Sequence, residues 1–198
     1  MKKKLVFFIG GLNFGGMERV VFIAEKLLKD KYDIKIVTLY QNNADYEIKN
    51  EYYNINVPPS SKRLITFIKR FFGTLKMRKE LKPDIIFSFG MYLNYLSILS
   101  HYFSKNKACR IVGLRSYDWL TKPFFNKKID KWIVCHADKI NSVSDLIAKD
   151  TEKIWNIPYE KNKVIYNPYD VGEIQLKSKE NTNDFIFDEK NYYIITMG

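Results

Sequence analysis

Leu5-Val6-Phe7-Phe8-Ile9 is an apolar run that stops at Gly10-Gly11-Leu12-Asn13-Phe14-Gly15-Gly16, and Met17-Glu18-Arg19-Val20-Val21-Phe22-Ile23-Ala24-Glu25-Lys26-Leu27-Leu28 follows directly. A short run rich in Val, Ile and Phe and ended by glycines reads as a strand buried on both faces. In the next segment Val20, Val21, Ile23, Ala24, Leu27 and Leu28 share one helical face, with Arg19, Glu25, Lys26 and Lys29 off it. The unit is strand, glycine loop, helix. Such a loop lies at the carboxyl end of its strand, where ligands bind, and the helix start offers free N–H groups to an anion.

The remaining chain continues the alternation. Tyr32 to Tyr40 reads as a second strand, Gln41 to Tyr53 as polar and irregular, and Asn54-Ile55-Asn56-Val57 as a short strand ended by Pro58-Pro59. A long helix is expected from Ser60 to Leu81, with Ser60 or Ser61 as its cap and Lys82-Pro83 as its end. Pro83 to Gly90, Arg110 to Leu114, Lys139 to Val143 and Lys163 to Tyr166 read as strands; Tyr92 to Phe103, Lys127 to His136 and Leu146 to Trp155 read as helices. This order implies right-handed parallel crossovers, hence an α/β, Rossmann-like, doubly wound, mostly parallel sheet with helices on both faces. Beyond the turn Asn167-Pro168-Tyr169-Asp170, the run Lys177 to Asp184 is polar, as suits an exposed connection, and Tyr192 to Gly198 reads as the opening of a new buried strand. The expected division is one domain over 1–175, a linker over 176–190 and, at 191–198, the first strand of a truncated second domain.

A formal net charge of +11 calls for an anionic partner: nucleic acid, a phosphate-bearing substrate or an anionic membrane surface. Hydrophobic residues make up 46% of the 198, so the chain is globular and long enough for one full core. Cys109 and Cys135 have no pairing or metal-ligand spacing and read as reduced core thiols of a cytosolic protein; His101 and His136 are isolated, so no metal is expected. The start Met1-Lys2-Lys3-Lys4 imitates a signal peptide, but its apolar run is too short, and no segment can span a bilayer.

Much of the positive charge falls on the long helix: Lys62, Arg63, Lys69, Arg70, Lys76, Arg78, Lys79 and Lys82, against Glu80, with Leu64, Ile65, Phe67, Ile68, Phe71, Phe72 and Leu75 at helical spacing. Two readings stand. One is a core-packed helix with a solvated basic face; the other is an amphipathic helix on an anionic membrane, each basic residue contributing about 1 kcal/mol. They are compatible if some of the apolar stripe packs inward while the positive face meets lipid.

The opening loop fails both well-known phosphate motifs. Its glycines are not spaced as G-x-G-x-x-G, the second strand ends Thr38-Leu39-Tyr40-Gln41 without an acidic residue, and no lysine follows as a P-loop requires. These departures argue against a nucleotide-dependent dehydrogenase or epimerase. Phe14-Gly15-Gly16-Met17-Glu18-Arg19-Val20-Val21 instead resembles the GG-x-E loop of family four glycosyltransferases, which have the two-domain GT-B fold. The likeness continues in order through Lys82-Pro83-Asp84-Ile85-Ile86, Arg115-Ser116, Ala137-Asp138 leading to Val143-Ser144, and Ile165-Tyr166-Asn167-Pro168-Tyr169-Asp170.

The resemblance implies the acceptor-side domain of a hexosyltransferase-type enzyme. It would move a sugar, with retained configuration, from a nucleotide-diphosphate donor, UDP-linked in this reading, to a lipid-linked or polysaccharide acceptor in capsular or surface polysaccharide synthesis. The leaving diphosphate needs positive charge and N–H groups, so no metal or cofactor is required and the nucleotide sugar is itself a substrate. The second domain would hold the nucleotide, and this chain alone would be inert.

The residues implicated are Gly15, Gly16, Glu18, Arg115, Ser116 and Ser144 for substrate, with Asp118 as the catalytic candidate that orients the acceptor hydroxyl or takes its proton. Relatives often carry a histidine near Arg115-Ser116-Tyr117-Asp118, and here there is none. Each candidate also has a structural reading. Gly15 and Gly16 permit a tight turn, Glu18 complements a helix dipole, Arg115 is a surface arginine in a polar loop, Ser144 is an N-cap, and Asp118 makes an Asx turn. The implied partners are the chain's own second domain, the acceptor and an anionic membrane surface, placing the protein in the cytoplasm, peripheral on the inner face of the cell membrane. A basic nucleic-acid-binding module is the alternative, disfavoured because most aromatics fall at core positions and no recognition motif is visible.

Overall fold

A computed structural model of the chain describes residues 1–13, 15–41, 52–116, 124–158, 160–180, 190 and 192–194. Among them are β1 (Lys3–Ile9), α1 (Gly16–Leu28), β2 (Tyr32–Thr38), β3 (Tyr53–Asn54), α2 (Arg63–Leu81), β4 (Ile85–Phe89), α3 (Met91–Phe103), β5 (Cys109–Leu114), α4 (Phe124–Cys135), β6 (Lys139–Ser142), α5 (Asp145–Trp155), β7 (Asn162–Val164) and α6 (Val171–Lys177). The chain divides into two compact units, Met1–Pro168 and Tyr169–Gly198. In the first, seven strands form one sheet in the order β3-β2-β1-β4-β5-β6-β7, and every pairing is parallel.

The alternation of side chains along β1 builds two cores. Phe7 lies level with Ile36 and Phe87, and on that face Leu5, Phe7, Ile9, Ile34 and Ile36 pack against Val20 and Val21 of α1. Phe8 lies level with Val37 and Ser88 on the other face, where Val6, Phe8 and Ile86 pack against Met77 of α2 and Leu93 and Leu96 of α3. The same face continues through Val112 and Ile140 to Ile133 and Val134 of α4 and Ile147 and Trp155 of α5. Helices therefore lie on both faces, as the doubly wound reading requires.

Only part of the apolar stripe of α2 faces inward: Phe67 and Phe71 are half-buried against the core of Val6, Phe8 and Ile86. Its fully buried positions are Thr66, Thr74, Met77 and Arg78, whereas Leu64 is 72% and Phe72 62% exposed, with Ile65 and Ile68 also exposed. The helix is oriented by its contacts with α3, where Phe67 meets Tyr92 and Phe71 meets Phe103 edge-on, and the apolar arc is wider than that contact. Arg78, read as a membrane-surface cation, is buried. Its Nε donates to Ser100 Oγ at 2.8 Å and its Nη2 to the Ser97 carbonyl at 2.8 Å, so it binds α2 to the last turns of α3, where carbonyl dipoles favour a cation. Burial pulls its pKa down to about 10, which leaves it charged at neutral pH. Arg70 is half-buried, donating from Nε to the Val57 carbonyl at 3.1 Å and lying against Tyr92. Lys62, Arg63, Lys69, Lys76 and Lys79 are exposed as expected.

Neither Ser60 nor Ser61 caps α2. The helix starts three residues later than Ser60 with Lys62 at its N-cap, and Ser60 Oγ instead accepts from the Lys62 N–H at 3.3 Å. In the second unit, α6 was not expected; Asp170 caps it by accepting from the Glu173 N–H at 3.0 Å.

Candidate functional site

Parallel strands send every β-to-α loop to one edge. The strand order reverses between β1 and β4, with α1 packed on one face and α3 on the other, so the loops after those two strands part and leave a crevice at the carboxyl edge. Gly16 opens α1, and Gly90, at φ +97°, is the N-cap of α3. That backbone conformation suits only glycine without strain. A Cβ at Gly10, Gly16 or Gly90 would meet no atom within 4 Å, so the crevice is edged by bare backbone facing open space.

The β1–α1 loop is held from beneath. The Leu12 N–H donates to Gln41 Oε1 at 2.5 Å, Gln41 Nε2 donates to Asn13 Oδ1 at 3.0 Å, and Asn54 Nδ2 donates to the Gln41 carbonyl at 2.9 Å. Leu12 and Gln41 are both buried. Gly15 is the extended N-cap of α1, and a Cβ there would overlap the Glu18 carboxylate. The glycine lets the carboxylate of Glu18, three residues into the helix, come close to the N-cap, which brings negative charge to the first turn. Gly16 is the member of the pair that leaves space for a ligand.

The other candidates lie along the same edge after β5 and β6, and adjacent strands are about 4.8 Å apart, so Arg115 stands roughly 10 Å from the β1 loop. Ser116 is exposed. Ser144 caps α5, its Oγ accepting from the Ile147 N–H at 3.3 Å, and the neighbouring Asp145 carboxylate accepts from the Tyr166 hydroxyl. Arg115 folds back along the sheet instead of out over the edge. Its guanidinium lies 4.8 Å from the centre of the Phe89 ring, Nη2 donates to Asn141 Oδ1 at 2.7 Å, and Nη1 donates to Asn167 Oδ1 at 3.1 Å. Burial pulls its pKa down to about 10, still charged at neutral pH. Asp118, the catalytic candidate, lies outside the described residues, as do Phe14 and Tyr117.

Asn141, Asn167 and Gln41 hold the site together. The sequence places Asn167 in a turn, whereas Asn141 and Gln41 carry no signal, because an amide at a strand end has no periodicity or motif until its partner strand is known. Among the described residues no group of three or more His, Cys, Asp or Glu side chains could hold a metal, and no helix is long and apolar enough to cross a membrane.

The chain is similar to several known proteins. It is 27% identical over 207 residues, covering 99% of its own length and 55% of the relative's, to the N-acetylgalactosamine-N,N'-diacetylbacillosaminyl-diphospho-undecaprenol 4-alpha-N-acetylgalactosaminyltransferase of Campylobacter jejuni. UDP-N-acetylglucosamine 2-epimerase from Rickettsia bellii matches with a TM-score of 0.73 and 12% identity over 92% of this chain and 50% of that one. The lipopolysaccharide outer core galactosyltransferase WaaB, in its apo form, matches with a TM-score of 0.64 and 19% identity over 84% of this chain and 46% of that one. The two structural likenesses are likenesses of fold, and the chain spans about half the length of each of these proteins. The model of Glycosyltransferase Family 4 matches residues 14–173, from the Gly15-Gly16 loop through β7 and into α6. The chain belongs to glycosyltransferase family 4.

Proposed function

We propose that this chain is the acceptor-side domain of a retaining glycosyltransferase that moves a sugar from a UDP-linked donor to a lipid-linked acceptor in surface polysaccharide synthesis. The observation that carries the reading is the crevice between β1 and β4. Two helices begin there on bare glycine backbone, Gly16 and Gly90, within the region the family model covers. Free N–H groups at a helix start stabilise the charge of a departing diphosphate without a metal. Glu18 and Ser116 flank that crevice as substrate-facing candidates, and Asp118 remains the candidate for the acceptor hydroxyl. In this reading the nucleotide would be held by a second domain. A lipid-linked acceptor is supported by the Campylobacter jejuni relative, whose name specifies a diphospho-undecaprenol substrate.

The second part of the proposal is that α2 rests on an anionic membrane surface. Leu64, Ile65, Ile68 and Phe72 are exposed beside exposed Lys62, Arg63, Lys69, Lys76 and Lys79, and Phe103 of α3 adds a 73% exposed ring next to Phe71. Apolar side chains that enter the headgroup boundary with basic residues around them are the composition of an interfacial helix. The α2 helix runs antiparallel to the strands. Lys4, at the start of β1, reaches the Leu81 carbonyl at 3.5 Å, and Phe67 meets Tyr92 in the first turn of α3. The apolar half therefore lies toward the same edge as the crevice, where a lipid-linked acceptor would arrive.

The test is transfer by the complete protein from radiolabelled UDP-sugars to lipid extracts containing polyprenyl-diphosphate saccharides. Label entering the lipid fraction supports the proposal, and label released only as free sugar, or retained as UDP-sugar across the panel, refutes it.

A further inference from the structure

A continuous row of aromatic side chains crosses the outer side of α2, α3 and α4. On α2, Phe72 touches Phe71 with ring centres 5.6 Å apart, and Phe71 meets Phe103 at the end of α3 at the same distance. The preceding residue, Tyr102, turns the other way and lies 5.9 Å from Trp132 of α4, which in turn packs at 4.2 Å on His136. Phe72, Tyr102, Phe103 and Trp132 are exposed, Trp132 to 41%. The core beneath is filled without them, since Met77, Leu96, Ile133 and Val134 take the inner sides of the same helices. A contiguous apolar patch left exposed beside polar residues marks an interaction surface.

The charge around the row selects the partner. Of the acidic residues in these three helices, Asp130 is buried and accepts from the Tyr95 hydroxyl, which leaves Glu80. Lys69, Lys76 and Lys79 of α2 and Lys131 of α4 are exposed, as are Lys105 and Lys107 just past α3. Tyrosine and tryptophan, each with an apolar body and a polar tip, suit the boundary between hydrocarbon and headgroups, and lysines around them suit anionic headgroups.

We propose that the row from Phe72 to Trp132 is a second membrane contact: the protein rests on an anionic bilayer by the outer side of α2, α3 and α4 together, with Trp132 anchored at headgroup depth. The inference rests on the membrane part of the reading above and extends it from one helix to three. Phe103 and Trp132 stand in the last turns of their helices, toward the amino edge of the sheet, whereas Leu64 and Ile65 stand in the first turn of α2, toward the carboxyl edge. Contact at both ends lays this layer of helices along the bilayer instead of standing it on the crevice edge.

Tryptophan fluorescence reads the contact directly. The chain has Trp119, Trp132 and Trp155, of which Trp155 is buried, and the difference between the parent chain and Trp132→Phe isolates the Trp132 emission. On phosphatidylglycerol vesicles carrying a nitroxide lipid labelled near the headgroup, that emission is expected to shift to the blue and fall at least twofold. Trp132→Ala combined with Phe103→Ser is expected to weaken vesicle partitioning at least fivefold, with the unfolding midpoint little changed. Bound protein whose Trp132 emission stays as it is in solution overturns the inference and leaves contact through α2 standing, as does partitioning unchanged in the double variant. A parent chain that does not bind the vesicles overturns both. Trp132 emission that answers to soluble oligosaccharides and not to vesicles overturns it in favour of a sugar platform. None of these readouts needs turnover, so absence of sugar transfer with the expected quenching overturns only the sugar-transfer reading.

Discussion

Arg110 closes on Asp138 with both ends of its side chain and with its backbone. Nε donates to Oδ2 at 2.8 Å, Nη2 donates to Oδ1 at 2.7 Å, and the Arg110 N–H donates to Oδ2 at 2.7 Å. Asp84 stands in the same relation to the Lys4 N–H, at 2.7 Å. In each case an aspartate at the entry of one strand satisfies an amide of the strand beside it, β6 with β5 and β4 with β1. The family-like segments Lys82-Pro83-Asp84 and Ala137-Asp138 therefore set strand alignment at the amino edge, away from the crevice. Asp138→Asn is expected to cost about 1–2 kcal/mol, since the pair is charge-assisted and bidentate but partly exposed, and denaturant unfolding of the variant checks it.

The same pair gives a pH dependence. Hydrogen bonding to Arg110 holds the Asp138 carboxyl below its ordinary range, so its stabilisation is complete above the unfolded carboxylate pKa and is lost as pH falls through the lower folded value. His101 acts in a different window. Burial and the nearby Arg110, Arg78 and Lys107 pull it down to about 4. Between about 6.5 and 4 the unfolded histidine binds a proton that the folded one does not, so stability falls as pH drops through that range. His101→Gln should flatten the stability profile between pH 6.5 and 4 while leaving the more acid loss in place. A profile unchanged by the substitution would contradict the assignment.

Arg78→Ala is expected to cost about 3 kcal/mol or more, because it opens a cavity and strips Ser100 Oγ and the Ser97 carbonyl of a charged donor. Arg78→Met, which fills the space, should cost less. Thermal unfolding separates them. Loss below 1 kcal/mol in the alanine variant would mean that the side chain is in solvent after all.

Vesicle co-sedimentation tests the α2 surface. Lys62, Lys69, Lys76 and Lys79 changed to Gln should reduce partitioning onto phosphatidylglycerol vesicles at least tenfold, at about 1 kcal/mol per charge near the surface. Leu64, Ile68 and Phe72 changed to Ser should reduce it as well, and in high salt. Arg78 belongs in neither series, since removing it disturbs the fold. Equal binding by parent and variants would take α2 out of the membrane account.

The central strands were legible as short apolar runs rich in β-branched and aromatic residues, stopped by Gly10 after β1 and bracketed by Pro83 and Gly90 around β4, and Ile85–Phe89 and Cys109–Leu114 lie within a residue or two of the expected limits. Their alternation with helices was enough to imply the parallel sheet. The inward side of α2 was not legible. Hydrophobicity marks an arc from Leu64 through Phe72, but contact with α3 chooses Thr66, Thr74, Met77 and Arg78, and a buried arginine looks like a surface one until Ser97 and Ser100 are seen across from it. The helix α6 escaped notice because seven residues containing Gly172 show too little periodicity. At the site, the glycine motif was legible as a motif, yet the different duties of its two glycines, room for Glu18 at Gly15 and open space at Gly16, required the structure.

That difference gives the most direct measurement of the central claim, which is that the crevice at the start of α1 receives the reacting groups. Gly16→Ala places a methyl group where nothing lies within 4 Å, at the first residue of a helix, which alanine enters without strain. The complete protein carrying Gly16→Ala should unfold at an equal or higher temperature and yet lose at least tenfold in kcat/KM for sugar transfer. Transfer at the parent rate with that stability retained would contradict the account.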